Sequence, residues 1–156
     1  MTTPSPPLPG QFSRALLNGL AALLAERGVG VWSPVGAYGP HQLALTIGGL
    51  PATPDTAISL AIYGTGGDDL DGGDSTVLVQ LRMRAKGDPR DVGDYADAVF
   101  SVLHGLTEVR LSSGVLVLRA RRTVVAPPGR DSSGRWERAD SYELMVHWPT
   151  AQRDDD

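Results

Sequence analysis

The chain predicts an α+β domain on three observations. Two segments repeat their apolar residues at helical spacing, several others alternate with period two, and the two longest alternating segments are joined by a loop rich in proline and glycine. At 156 residues it is long enough to bury one core without staples. Its 19 glycines and 12 prolines fall short of a disordered composition, so they read as turns and long loops within a compact unit.

Residues 1–10 contain Pro4, Pro6, Pro7 and Pro9, which remove amide donors and oppose helix, so a flexible or extended arm is expected. Phe12, Ala15, Leu16, Leu20, Leu23 and Leu24 share one face of a helix over 11–27, with Gly28 as its stop. A short strand over 29–33 ends at Pro34, and 42–47 alternates as a possible edge strand among glycines and prolines. Ile58, Leu60 and Ile62 mark a strand over 58–63, and 64–75 reads as a Gly/Asp loop.

The strand over 76–85 sends Val77, Val79, Leu81 and Met83 to one side and Gln80, Arg82 and Arg84 to the other, the pattern of an antiparallel sheet with one wet face. Asp88-Pro89 breaks it. Asp91 or Asp94 is then expected to cap a second helix that turns Val92, Tyr95, Ala96, Val99, Phe100 and Leu103 inward and stops near Gly105.

Two strands over 115–125 and 136–148 follow, joined by a loop over 127–135. Matching their apolar rows pairs Leu118 with Leu144 and Arg119 with Glu143, because a slip of one residue turns a row to water. The division expected is an arm over 1–10, one domain over 11–149 and an acidic, solvated tail over 150–156.

Composition excludes several functions. With no cysteine, thiolate catalysis, disulfides and Cys-ligated zinc are ruled out, and a net charge of −4 argues against a protein built to grip nucleic acid. No apolar run approaches the roughly 20 residues of a bilayer span, and the N-terminus lacks the pattern of a signal peptide, so a soluble cytosolic chain with no membrane partner is expected. His41, His104 and His147 stand far apart and form no metal-ligand pair, no serine lies in a nucleophile elbow, and no phosphate-binding glycine loop occurs. No cofactor is expected, and an enzyme is the weakest reading.

The loop with Asp68, Asp69 and Asp71 looks superficially like a calcium-binding nonapeptide repeat, but one imperfect copy lacks the stacked neighbours such a site needs, which leaves an acidic hairpin loop. Arg82, Arg84, Arg119, Arg121 and Arg122 are the one basic concentration. Nucleic-acid binding is one reading of it. The acidic balance and carboxylates such as Glu143 favour ion pairing on a sheet face or at a subunit contact. The loop over 126–135, with Arg130, Asp131 and Arg135, is long and polar enough either to conform to a partner or to be an idle excursion.

Taken in order, the first helix, the run from Val79 through Lys86-Gly87-Asp88-Pro89-Arg90 to Asp91, the stretch from Asp97 to Leu106 and that from Gly129 to Trp148 resemble the tail terminator proteins of long-tailed phages, particularly those of actinobacteria, often called minor tail or minor capsid proteins. The resemblance spans about Phe12 to Pro149, and its motifs are structural rather than catalytic. It implies a mixed or mainly antiparallel sheet flanked by two helices, a protomer of a homo-hexameric ring. It also implies a role: capping the tail tube, stopping its polymerisation and presenting a surface to the head-completion complex. The implied partners are further copies of the chain, the tail tube protein and the connector protein, with DNA passing the lumen unbound; an acidic surplus suits such a lumen. The implied location is the head-proximal end of the tail in the virion, and the host cytoplasm during assembly. The nearest rival is a head–tail connector or stopper protein, and a small nucleic-acid-binding domain is the more distant one.

Overall fold

The computed structural model describes residues 2–153. Two helices, α1 (Phe12–Glu26) and α2 (Pro89–Leu103), pack on a mixed sheet of eight strands: β1 (Val31–Trp32), β2 (Ala44–Ile47), β3 (Ala57–Asp68), β4 (Asp74–Ala85), β5 (Thr107–Arg110), β6 (Leu116–Val125), β7 (Gly129–Arg130) and β8 (Trp136–His147). The order across the sheet is β1-β2-β3-β4-β8-β6-β5, with β7 appended to β8. The β1–β2 and β2–β3 pairs are parallel and the remaining pairs antiparallel. The α+β class and the mixed, mainly antiparallel sheet are therefore as expected.

Both helices cover the same face. Leu16, Leu20 and Leu24 of α1 and Val92, Ala96, Val99 and Leu103 of α2 meet Ile58, Leu60, Val77, Val79, Leu81, Met83, Tyr142, Leu144 and Val146 in one core. The alternation of β4 is thus read correctly, since burying its even row would have put Gln80 and Arg82 against the helices. Phe12 stacks on Trp148 at 4.1 Å, joining the start of α1 to the chain just after β8. Among the described residues no helix is long and apolar enough to cross a membrane.

Several local expectations are corrected. The cap of α2 is Asp88 rather than Asp91 or Asp94: its carboxylate accepts the Arg90 amide at 2.8 Å, and Pro89 occupies the first turn, where its missing donor costs nothing. β2 is not an edge, because β1 lies outside it. The supposed loop over 64–75 is mostly hairpin. β3 runs on to Asp68 and β4 begins at Asp74, with the register slipping at Tyr63 and Gly66. Backbone pairing needs no apolar alternation, and at Gly66 a Cβ would come within 2.7 Å of Thr76 Cγ2, so glycine lets the strands close there.

The β6–β8 register is two residues from the expected one. Ala120 faces Leu144 and Arg121 faces Glu143, while Arg119 faces Met145, because Leu118 is an extra residue bulged out between Val117 and Arg119. Matching apolar rows fixes a register only to within two residues, and a bulge supplies the remainder. β5 is a strand the sequence does not announce.

The ends also depart from expectation. At Gly114 (φ +94°) a Cβ would overlap the Ser5 carbonyl, so the proline-rich arm, expected to be flexible or extended, lies against the β5–β6 turn. Arg153, expected in a solvated tail, donates to the carbonyls of Asp69 (3.2 Å) and Asp74 (3.1 Å), to Ser75 Oγ (2.9 Å) and to the Trp148 carbonyl. The acidic residues expected at 154–156 lie outside the described residues.

The Asp88 cap carries a pH dependence. Hydrogen bonds from the Arg90 side chain and amide hold its carboxyl at about 2, against an ordinary 3.8. A carboxyl whose folded value is depressed stabilises the fold fully above its unfolded value and loses that contribution as pH falls through the folded one. Asp88→Ala should therefore lower the melting temperature at neutral pH, and scans at decreasing pH should show the gap to the parent narrowing between about pH 4 and pH 2.

Candidate assembly surfaces

The sheet face opposite the helices carries most of the polar side chains singled out in the sequence. By register, Gln80 and Arg82 of β4, Glu137, Glu143 and Met145 of β8, and Arg119 and Arg121 of β6 share it. Arg82 faces Glu137 at 3.6 Å and Arg121 faces Glu143 at 3.5 Å, both arginines largely exposed, while Arg119 has no ion pair among the described residues. Such exposed pairs contribute only about 0–1 kcal/mol each, so they are easily exchanged for a partner's groups. Beside the Arg82–Glu137 pair, toward β3 and the end of β2, lies a polar hollow of about 520 Å³ lined by Gly48, Ser59, Gln80, Arg82, Arg135 and Glu137.

Arg84 and Arg122, the other two of the five arginines, are not open to a partner on this face. Arg84 is on this face but only 3% exposed: Nε donates to the Asp55 carbonyl (2.8 Å), and Nη2 to those of Pro51 (2.6 Å) and Pro54 (2.7 Å). It holds down the connection from β2 to β3 and is closed to any partner. Burial, reinforced by the neighbouring Arg135, lowers its pKa from the usual arginine value. Arg122 is on the helix face, stacked over Phe100 at 4.1 Å, its amide donating to His104 Nδ1 at 3.0 Å. It completes a buried cluster in which Asp140 accepts Arg138 Nε (2.8 Å) and Nη2 (3.0 Å) and lies 3.7 Å from Arg122. Beside it burial pushes the Tyr142 hydroxyl up to about 12. Sequence reading missed Arg138 and Asp140, although their spacing of two on a strand places both on one face.

The loop over 126–135 is tied to its own protomer. Asp131 accepts the amides of Ser133 (2.9 Å) and Arg135 (2.8 Å) and the Arg135 Nε (2.8 Å), making the turn that a side chain in this position makes best. Arg135 reaches on to the Ala52 carbonyl (3.0 Å) and Asp55 (3.3 Å), and Arg130 lies over the Trp136 ring at 4.6 Å. Asp131 and Arg135 are therefore turn and clamp residues, and of the three charged residues only Arg130, on β7, is exposed.

Asp68, Asp69 and Asp71 stand exposed at the β3–β4 tip, closed by an amide-to-carbonyl bond from Asp69 to Asp74 at 2.9 Å. His147 Nδ1 lies 3.1 Å from the Asp74 carboxylate and, with Arg153, props the tip against the end of β8. Among the described residues no group of histidine and carboxylate side chains is arranged to hold a metal. These surfaces offer a partner ion pairing and hydrogen bonding.

A family model described as bacteriophage tail terminator protein matches residues 23–148, from the last turns of α1 to the residue after β8. Among solved structures, a chain of the "Virion of native gene transfer agent (GTA) particle" is similar, with a TM-score of 0.57 and 14% identity, over 81% of this chain and 93% of that one. At that identity the likeness is one of fold alone. No curated protein sequence matches.

Proposed function

The chain belongs to the bacteriophage tail terminator family, a structural component of the phage tail and virion, and from that membership we propose that it caps the tail tube and halts its polymerisation. In this reading it works as a homo-hexameric ring at the head-proximal end of a long tail, of the kind carried by actinobacterial phages. One ring face meets the tail tube protein and the other the connector, and DNA passes through without specific binding. Assembly takes place in the host cytoplasm.

The observation that carries the reading is the family match over residues 23–148, which takes in the whole sheet and α2. The wet sheet face supports it, because Arg82, Arg119 and Arg121 lie in exchangeable or unfilled pairings suited to a protein contact. Nucleic-acid binding is disfavoured by the same geometry, since Glu137 and Glu143 already counter two of those charges. The test is particle mass by light scattering with averaged electron images, beside tail lengths in a phage lacking the gene. A ring, with tails of uncontrolled length in its absence, is expected. A chain that stays monomeric even with tail tubes present, and tails of normal length without it, would overturn the proposal.

A further inference from the structure

The geometry points to one specific contact between copies: Leu70, at the β3–β4 tip, inserts into a hollow that α1, β1 and β2 form on a second copy of this chain. The inference rests on the self-assembly reading above and names the surfaces that meet. Leu70 is 90% exposed, an aliphatic side chain held out in water at the apex of a turn whose backbone is pinned by Asp69, Asp74 and Arg153. A large apolar group presented on a fixed tip is a contact feature, because nothing in its own chain covers it.

The receiving hollow has a volume of about 400 Å³ and is lined by Arg14, Leu17, Asn18, Trp32, Pro34 and Ile47. Trp32 and Leu17 have one side against the core, and Ile47, 38% exposed, leaves apolar surface open within it. The charges match as well. Arg14 is exposed and without an ion pair among the described residues, while Leu70 is flanked by Asp68, Asp69 and Asp71. An apolar plug ringed by carboxylates thus fits an apolar socket with a cation at its edge.

A chain cannot fill its own socket. Ile47 is paired with Leu60, whereas Leu70 lies past Asp68, eight residues further along β3, or roughly 26 Å of extended chain. Plug and socket are different surfaces of one molecule, so each copy can give one plug to one neighbour and receive one from another, head-to-tail. Repetition of such a contact closes a ring when its rotation permits.

The test uses the full-length chain in three forms: the parent, Leu70→Asp, which spoils the plug, and Ile47→Asp, which spoils the socket. Arg14→Glu, on the exposed face of α1, serves as a second socket variant. Circular dichroism and melting establish that each is folded, and sedimentation reports assembly. Each variant alone should need at least about tenfold more protein for half-assembly, the cost of leaving one leucine out of its pocket. An equimolar mixture of Leu70→Asp with either socket variant should give dimers and no rings, because one intact plug and one intact socket remain between unlike copies. Parent and Leu70→Asp assembling at the same concentration would overturn this contact while leaving self-assembly standing. Rings that survive Leu70→Asp but no longer bind tail tubes would also overturn it and assign the tip to the tube protein. A parent that never assembles would overturn both this contact and the reading beneath it.

Discussion

Asp140→Ala is expected to cost about 3–5 kcal/mol of folding free energy, the largest loss for any single side chain considered. The carboxylate is 1% exposed and takes two hydrogen bonds from Arg138, with Arg122 close by on the other side. Its removal leaves two largely buried guanidinium groups facing each other under α2, one of them stacked on Phe100. A urea titration should show the midpoint fall with little change in slope. The triple change Arg122→Met, Arg138→Met, Asp140→Leu should be far milder than the single one, because burying ions is itself costly and apolar groups of similar shape avoid that cost. If the triple variant is as unstable as Asp140→Ala, the loss reflects packing, not charge.

Arg84→Ala should cost about 2–4 kcal/mol, because it strands three carbonyl acceptors at once. Those of Pro51, Pro54 and Asp55 all take their donor from this one planar group. Lysine should recover little, since its ammonium is a compact point and cannot span acceptors arranged around a fork. Hydrogen exchange should localise the effect. Protection of the Ala44 amide, which donates to the Thr56 carbonyl at the end of the same connection, should fall more than that of amides in the β4–β8 ladder.

The parts of this fold legible in the sequence are those where one face is buried in a regular element. α1, α2, β4 and β8 announce themselves through period, and their inward rows are the observed core. What escapes is set by backbone pairing or by distant neighbours. The glycine-rich continuation of β3 pairs without side-chain alternation, β5 is four residues on an edge, and the bulge at Leu118 is visible only once β8 lies beside it. The wet face is partly legible. Alternation sets Arg82, Arg119 and Arg121 outward, whereas the sealing of Arg84 depends on a loop thirty residues away and the turn role of Asp131 on amides that fold back to it. Leu70 carries its own signal in the sequence, a lone leucine between aspartates in a loop with no core to enter.

The bonds from Arg153 make the segment that follows β8 a strut for the hairpin apex. Arg153→Ala would leave every strand and helix in place yet loosen that apex, so a side chain some eighty residues further along helps set where the protruding leucine stands.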